Sequence, residues 1–445
     1  MNQPFGARQL ARQVLKKIRT EDAFATIALD AALSKGFLSL SDKALATELV
    51  YGVLRNKRLL QHRLEEASTG KLKVKKDVLD TLLVAAHQIY SLDRVPDHAA
   101  VDDAVAHVNA ITGGRLGAFA NGILRQCCRH HAVSLEEGQT PVKDYGIRFS
   151  MPEWVLSEVK YKVSKTELLD ALKGMCSKPK VYLRSRLPEG ELMKELLEET
   201  DAELSKNEFL KSALAIQGAG APVSLDAWKK GSFVVQDSAA QLVGALVPTS
   251  AKRVLDACAG VGGKTMHASD MAKDASVLAL DVSESKLERL LRSAKRLRNE
   301  RIKTKCGDVL TEDLSAEGLF DVVVLDAPCS GLGVLRRHPE IKWRKEERKP
   351  EDFSSIQSSM LEKISQSVDV GGHLIYSVCT FTDKEGKDVV EGFLNKHPEY
   401  VLDMPKEDAD DLRWTELMSE EGYLETWPHK HDMDGFFAVR LKKIR

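Results

Sequence analysis

Apolar residues recur at three- and four-residue steps through the first part of the chain, the spacing of amphipathic helices. FGARQLARQVLKKI, AFATIALDAAL, DKALATELVYGVLRNKRLL, KDVLDTLLVAAHQIYSL, HAAVDDAVAHVNAI and AFANGILRQCCRH each carry one apolar face. Ser41 is placed to cap the third helix, and Gly113 with Gly114 to stop the fifth. An independent helical bundle over residues 1–140 is the predicted first domain. A polar break, SLEEGQTPVKDYG, follows it. Beyond the break Pro152 suits the first turn of a helix. Helices around 165–175 and 191–199 then alternate with strand-like VYLRSR and SFVVQD, which predicts a small α+β linker domain over 145–235.

The period changes again near residue 250. Short apolar strands (RVLDA, SVLALDV, IKTKC, FDVVVLDA, HLIYSV) alternate with helical stretches, after a leading helix DSAAQLVGALV. This is the βαβ rhythm of an open, mostly parallel sheet covered on both faces. The third domain, 236–445, is therefore predicted as α/β, with the architecture shared by dinucleotide enzymes and class I methyltransferases. In such sheets ligands bind in the crevice at the carboxyl ends of the strands. Three segments meet that description: VLDACAGVGGKT (254–265), VVVLDAPCSGLG (322–333) and GGHLIYSVCTFTD (371–383). The latter two each place a cysteine just after an apolar strand.

Length agrees with this division, since 445 residues exceed one ordinary domain. A formal net charge of -1 excludes wholesale polycation behaviour, but the distribution is uneven. Residues 286–305 hold nine Lys/Arg against two acids, and a second run includes Arg336, Arg337, Lys342, Arg344 and Lys345. Such runs are either solvated helix faces or, beside a cleft, a surface for a phosphate backbone. Residues 1–150 carry 21 bases against 16 acids, which suits either an RNA-contacting or a merely accessory bundle. No stretch has the ~20 unbroken apolar residues of a membrane span, and the basic amphipathic start reads as a domain's first helix rather than a targeting segment. Seven cysteines at irregular spacing, with no CxxC pair, argue against a disulfide framework and a zinc site. No metal is expected, and a reducing, cytoplasmic setting is.

The glycine turn separates the nucleotide options. A P-loop needs GxxxxGK[ST], and the position of its first glycine holds Cys258. The dinucleotide fingerprint GxGxxG is also poorly matched by GVGG. S-adenosylmethionine has no phosphates to cradle. It needs a carboxylate for its ribose diol, for which Asp281 at the end of the second strand is placed, and backbone N–H groups for its amino-acid moiety. Asp256 precedes the turn, and Asp308, after the third strand, is an acid to accept from the adenine amino group or a surface acid.

These residues carry a resemblance to the RNA 5-methylcytosine methyltransferases. DAPCSGLGVLRRHPEIKW (326–343) is similar to that family's signature, YSVCT (376–380) to its second cysteine motif, and the DGFF at 434–437 to its closing strand. The resemblance covers nearly the whole chain, because bacterial members acting on 16S ribosomal RNA also begin with a domain like the NusB antitermination factor. It implies a multidomain protein: a NusB-like all-α RNA-binding bundle, the small α+β linker, and a C-terminal class I (Rossmann-like) methyltransferase domain. Cys258, Ala259, Gly260, Val261, Gly262, Gly263 and Lys264 would form the cofactor loop, with Asp281, Asp308 and Asp326 also contacting S-adenosylmethionine. One departure is Gly260-Val261 where the family usually has Ala-Pro.

Carbon 5 of cytosine is too weak a nucleophile to take a methyl group unaided. A thiolate adding to carbon 6 makes carbon 5 enamine-like, and that thiolate must be accessible in ionised form. The residues alone do not tell nucleophile from helper. The resemblance assigns Cys379 as nucleophile and Cys329 as the second cysteine, which assists loss of the carbon 5 proton. Asp326 is placed to hold ring N3 and the exocyclic amine. Lys264 either supplies a local positive charge or is a surface lysine on the next helix. Arg336, Arg337, His338 and Lys342 are expected to hold phosphates beside an extruded base, and Trp343 either to stack on a base or to pack in a core. The implied activity is C5 methylation of a cytosine in 16S rRNA, position 967, by a monomer that binds neither DNA nor membrane. The same chemistry on tRNA, and a non-catalytic assembly or antitermination factor, are the alternatives.

Overall fold

Helices α1 (Ala7–Glu21), α2 (Ala25–Leu33), α3 (Leu40–Ala67), α4 (Lys76–Ser91), α5 (Asp97–Thr112) and α6 (Gly117–Arg129) turn their apolar faces to one core. Leu10, Ala11 and Val14 of α1 meet Leu49 and Val53 of α3 there, and Leu82, Leu83 and Ala86 of α4 complete its centre. In this computed structural model the described residues are 6–34, 38–68, 70–129, 144–344, 349–405 and 413–445. Most of the polar break after α6, and Lys345, lie outside them. Gly113 ends α5 in the left-handed conformation (φ 63°), as its position predicts. The cap of α3 is Ser39 rather than Ser41: its hydroxyl accepts from Asp42 N at 3.1 Å. Either serine satisfies a capping pattern, and the backbone enters the helix two residues earlier than its apolar face.

The chain divides into two compact units. The first contains the described residues up to Cys176 together with Leu335–Arg344; the second contains Ser177–Val334 and the described residues after 348. The region 145–235 is thus shared out. Its helices α7 (Tyr145–Arg148), α8 (Glu153–Lys162) and α9 (Leu168–Cys176) go with the bundle, and its strands with the second unit.

A break in α3 explains what Leu335–Arg344 does. Asn56 has non-helical backbone angles (φ -110°, ψ 15°), so the helix ladder is interrupted there. Arg58 N donates to Ser150 Oγ at 2.8 Å. Leu54 O, which that N–H would meet in a regular helix, accepts from Trp343 Nε1 at 2.6 Å, and Arg55 O accepts from Lys342 Nζ at 2.9 Å. Glu340 adds a bond from Ala25 N at 3.0 Å. Buried backbone groups must find partners, and residues nearly three hundred positions away supply them. The expected phosphate contacts of Arg336 and Lys342 are therefore corrected: the two side chains are 1% and 2% exposed, inside the first unit. Trp343 packs against the helical core.

The second unit holds two sheets. Strands β1 (Val181–Ser185), β2 (Glu203–Lys206), β3 (Ala213–Gln217) and β4 (Phe233–Val235) form an antiparallel sheet in the order β2-β3-β1-β4, with α10 (Glu191–Glu199) and α11 (Asp226–Lys230). The larger sheet is built from β5 (Arg253–Asp256), β6 (Ser276–Asp281), β7 (Ile302–Cys306), β8 (Phe320–Asp326), β9 (Val368–Val378), β10 (Tyr400–Leu402), β11 (Leu424–Glu425) and β12 (Phe437–Lys443). Its order is β10-β12-β9-β8-β5-β6-β7, with β11 paired to β12. The β9-β8-β5-β6-β7 stretch is parallel and the β12 edge antiparallel. Helices α12 (Ser238–Ala245), α13 (Gly263–Met271), α14 (Glu284–Arg296), α15 (Pro350–Ser365) and α16 (Lys387–Lys396) accompany it. Apolar clusters lie on both faces: Val254, Val277 and Val322 share one with Met266 and Leu290, and Leu255, Val323 and Leu325 the other with Leu361 and Val390. Strand order changes direction between β5 and β8, which opens the crevice at their carboxyl ends.

Lys342 sets a pH signature for the first unit. Burial pulls its ammonium down to about 8, with Cys176 opposing and Arg55 adding to the fall. The unfolded chain holds more protons than the folded one between about pH 8 and pH 10.5, so stability rises with pH across that window. The gain is ~3 kcal/mol at most, and Lys342→Met removes it. Urea denaturation of parent and variant at pH 7.5 and pH 10 should show the parent gaining stability relative to the variant.

Candidate active site

Strand β5 ends at Asp256, whose carboxylate turns inward and accepts from Thr265 Oγ1 at 2.6 Å. Burial raises its pKa to about 6, against the pull of the Thr265 bond. It braces the turn from inside and does not face the crevice. The turn itself needs glycine: Gly260 and Gly262 have φ of 56° and 89°. Gly262 also lies against Leu290, where a Cβ would come within 2.5 Å of Cγ. By contrast, a Cβ placed on Gly260 or Gly263 meets nothing within 4 Å, so this side of the loop faces open space.

Asp281, at the end of the adjacent strand β6, holds the loop from beneath. Its Oδ2 accepts from Gly260 N at 2.8 Å and its Oδ1 from Ser283 N at 2.9 Å, with Lys286 Nζ 3.7 Å away. Each carboxylate oxygen has a second acceptor site, so a ribose diol can still be received. Asp308 is exposed, with one oxygen engaged by Leu310 N at 2.9 Å in its own turn. Val261, Val282 and Leu310 project exposed apolar side chains from the three successive strand ends. Of the three, the loop pattern points to Val261 alone. The other two give the edge a surface of the kind a purine packs against. Cys258 is half-buried, and burial, with Asp256, Asp326 and Asp281 around it, pushes its thiol well above the ordinary range. It stays a neutral wall of the loop. These groups fit an S-adenosyl ligand, with the loop backbone, Asp281 and the apolar edge as its holders.

The next strand ends bring the chemistry. Asp326, the last residue of β8, accepts from Lys264 Nζ at 2.6 Å and from Ser377 Oγ at 2.8 Å. Lys264 is therefore no free surface lysine. Burial lowers its pKa, but the Asp326 charge and bond outweigh this and the net shift is upward, which keeps it cationic. The ammonium also sits 5.2 Å from the centre of the Phe436 ring.

Cys329 and Cys379 meet with their sulfurs 3.2 Å apart. Both side chains are half-buried. The hydrogen bond to Cys379 and then burial raise the Cys329 thiol well above its ordinary pKa. Two thiolates cannot stand this close, so one sulfur carries the proton when the other is ionised.

Nothing in the local pattern signals what holds them there. Glu385 is fully buried, six residues beyond Cys379. Its carboxylate accepts from Ser330 N at 2.7 Å, Ser330 Oγ at 2.6 Å, Thr382 Oγ1 at 2.8 Å and Gln357 Nε2 at 3.3 Å. It thus ties the residue after Cys329 to the loop after Cys379. A Glu in a helix-leading FTDKEG stretch reads as a solvated surface residue; the only available signal was its closeness to a cysteine motif. A second clasp closes the first loop: Gly435 N donates to Gly333 O at 2.8 Å, and a Cβ on Gly333 would fall 1.8 Å from Gly435 O. Of the predicted site residues, Lys264, Asp326, Cys329 and Cys379 come together. The loop 258–264 and Asp281 lie alongside, and Asp308 stands at the exposed rim. Among the described residues no group of His, Cys, Asp and Glu is arranged to hold a metal ion, and no helix is long and apolar enough to cross a membrane.

Comparison with known proteins follows the same division. The family model for the 16S rRNA methyltransferase RsmB/F matches residues 243–442, and that of the NusB family matches residues 6–129. The chain is 31% identical over 450 residues to a probable ribosomal RNA small subunit methyltransferase B of Bacillus subtilis, covering 98% of both chains. It is 30% identical to the ribosomal RNA small subunit methyltransferase B of Yersinia enterocolitica, covering all of both. In fold it resembles the crystal structure of PH0851 (TM-score 0.79, 23% identity, all of both chains). It also resembles that of NSun6 from Pyrococcus horikoshii with SFG (TM-score 0.57, 19% identity, 66% of this chain and 98% of the other). With full-length relatives at this identity, and a methyltransferase crevice in one unit and a NusB-type bundle in the other, the chain belongs to the RsmB/F family of S-adenosylmethionine-dependent 16S rRNA methyltransferases.

Proposed function

We propose that the second unit methylates carbon 5 of a cytosine in 16S rRNA, position 967 being the target implied by the sequence resemblance. The observation that carries this reading is the pair of thiols 3.2 Å apart beside the Lys264–Asp326 ion pair. An O- or N-methyltransferase needs no such pair. A methyl transfer to an unactivated ring carbon does, because one sulfur must bond to carbon 6 and a second group must deal with the proton on carbon 5.

Cys379, as thiolate, forms the bond to carbon 6 while Asp326 holds N3 and the exocyclic amine. Of the four acceptor sites on Asp326, two serve Lys264 and Ser377, which fix the carboxylate. The rest are left for the exocyclic amine and for N3 after it takes a proton from water on thiolate addition, a proton it returns when the ring is restored. Bound S-adenosylmethionine supplies the electrophilic methyl group. Once bonded to carbon 6 the Cys379 sulfur carries no charge, so Cys329 can give up its own proton to water. As thiolate it takes the proton from carbon 5, directly or through water, the electron pair restores the ring, and the carbon 6–sulfur bond breaks to return Cys379 as thiolate. A target base has to leave its stack to reach these groups, which costs least in single-stranded or bulged RNA. Two reduced thiols in contact suit a cytoplasmic setting.

Transfer from labelled S-adenosylmethionine to protein-free small-subunit rRNA lacking modifications tests the reading. Label should appear in 5-methylcytidine. Cys379→Ala should abolish it, and Cys329→Ala should accumulate a covalent protein–RNA adduct visible on a denaturing gel. Label in another nucleoside, or undiminished transfer by Cys379→Ala, overturns the proposed chemistry; methylation of tRNA in place of rRNA overturns the substrate.

Asp326→Asn keeps the side-chain shape and removes the charge paired with Lys264. Its turnover should fall by ~10²–10⁴-fold, while calorimetric affinity for S-adenosylhomocysteine changes much less. Glu385→Ala strands the buried donors of Ser330 and should cost ~2–4 kcal/mol in urea denaturation. Glu385→Gln, which keeps part of the acceptor set, should cost less.

A further inference from the structure

The first 150 residues carry more bases than acids, and four of the bases fall in one short stretch, Lys71-Leu72-Lys73-Val74-Lys75-Lys76. It joins α3 to α4 in the first unit. Lys71, Lys73 and Lys75 are exposed, while Leu72 and Val74 between them are half-buried against the helical core. That alternation belongs to extended backbone, and Lys75 has φ -61° and ψ 149°. The two apolar side chains pin the segment, so the lysines between them are presented in line. At ~3.3 Å per residue, successive lysines of the strip stand ~6.6 Å apart. Lys76, also exposed, follows as the first residue of α4.

The nearby acids are committed to other groups. Asp77 accepts from Lys16 at 2.8 Å and from Arg19 at 2.5 Å, and Asp80 from Arg19 at 3.0 Å. Glu66 pairs with Arg63 at 3.0 Å and lies 3.4 Å from His62. Glu65 accepts from Gln61 at 3.1 Å. Among the described residues none of the four lysines has an acid, a carbonyl or an aromatic ring as its partner. The excess charge reaches inward: burial pulls the Lys57 ammonium below its ordinary range, and Lys76 and Arg19 add to the fall against the pull of Asp80.

Like charges held in line without counter-charges destabilise the free protein. The lysine heads pack on nothing that would offset this, so the gain must come from a bound anion. Its class follows from what the surface lacks. Between residues 41 and 110 no large apolar side chain is exposed among the described residues. A protein partner is anchored by apolar or aromatic groups that become buried, and a lipid surface by groups that insert. A row of ammonium groups with neither suits the regular charges of a phosphodiester backbone.

We propose that Lys71, Lys73, Lys75 and Lys76 form a strip that binds the phosphate backbone of the substrate RNA. The proposal rests on the chain's being an RNA methyltransferase, and it is independent of which nucleotide is modified. Contacts of this kind hold RNA without reading its bases. Fluorescence anisotropy of the full chain with a labelled small-subunit rRNA fragment, across a salt series, reads the strip without any methyl transfer. Lys71→Gln, Lys73→Gln and Lys75→Gln together leave the start of α4 alone. They should flatten the slope of log affinity against log salt by ~2 and weaken binding about 50-fold near 0.15 M salt, roughly fourfold per lysine. Arginine at the three positions should keep the parent affinity. S-adenosylhomocysteine affinity should stay at the parent value, and the urea midpoint at low salt should not fall, because repulsion has been removed.

RNA affinity and slope unchanged in the glutamine variant overturn the proposal, as does a loss that the arginine variant shares. Vesicles of phosphatidylglycerol and phosphatidylcholine run beside the RNA. Vesicle binding lost while RNA binding is kept also overturns the proposal, and makes the strip a membrane contact. Loss of RNA affinity in a chain that methylates no cytosine supports the strip and removes only the proposed chemistry. Cytosine methylation by a glutamine variant that binds RNA as the parent does overturns the strip and leaves the chemistry standing.

Discussion

A carboxylate with no exposed surface needs donors on every side, and this requirement at Glu385 fixes the geometry of the reacting groups. Taking a carboxylate out of water costs several kcal/mol after relaxation. Four hydrogen bonds to the charged group, at ~1.5–3 kcal/mol each, are of the size needed to offset it. They do not fully hold the charge, since burial still leaves the pKa of Glu385 raised. The donors come from Ser330, Thr382 and Gln357, and Tyr376 OH reaches the Glu385 carbonyl at 2.5 Å. Ser330 Oγ also meets Thr380 Oγ1 at 3.1 Å. Because Ser330 follows Cys329 and Thr380 follows Cys379, the same network that satisfies one buried charge sets the separation of the two sulfurs.

The first unit solves a similar problem with backbone groups. The interruption of α3 at Asn56 leaves carbonyls and an N–H without their helical partners. Trp343, Lys342 and Ser150 satisfy them. A lysine ammonium serves here as a hydrogen-bond donor to a carbonyl, in a place that strongly disfavours its charge. The two basic runs therefore meet different fates. Arg336 and Lys342 are structural in the bundle, whereas the run from Lys286 to Lys305 mostly lies at the surface of the second unit.

That contrast marks the limit of what was legible. The helical period of residues 7–129 and the strand–helix rhythm after 250 depend on local spacing, and both appear in the structure. The carboxyl-edge logic brought Lys264, Asp326, Cys329 and Cys379 to one place, because strand ends in a parallel sheet converge whatever the intervening sequence. Local spacing could not reveal the antiparallel pairing of β2 with β3, since ELSK and ALAIQ are short and the NEFLKS between them holds neither glycine nor proline. Nor could it show Glu385 buried or Trp343 packed in a distant core, because those fates are set by partners far off in the chain. Charge runs are ambiguous for the same reason: burial is a tertiary property, and a lysine's sequence neighbours do not report it.

Rigidity is distributed unequally around the crevice, and the inequality matches the two kinds of ligand. The thiol side is closed at every joint. Glu385 ties the loops from behind, and Gly333 approaches Gly435 so closely that no side chain could be admitted at either. The cofactor side is held only from beneath, by Asp256 on Thr265 and Asp281 on Gly260, and leaves open space above Gly260 and Gly263. A nucleophile gains from being held in position before the reaction, because misplacement by a fraction of a bond length raises the barrier directly. A diffusible methyl donor must enter and its product must leave, so its loop needs a fixed floor and a free face. Gly260 and Val261 fall on that free face, away from the sulfur pair.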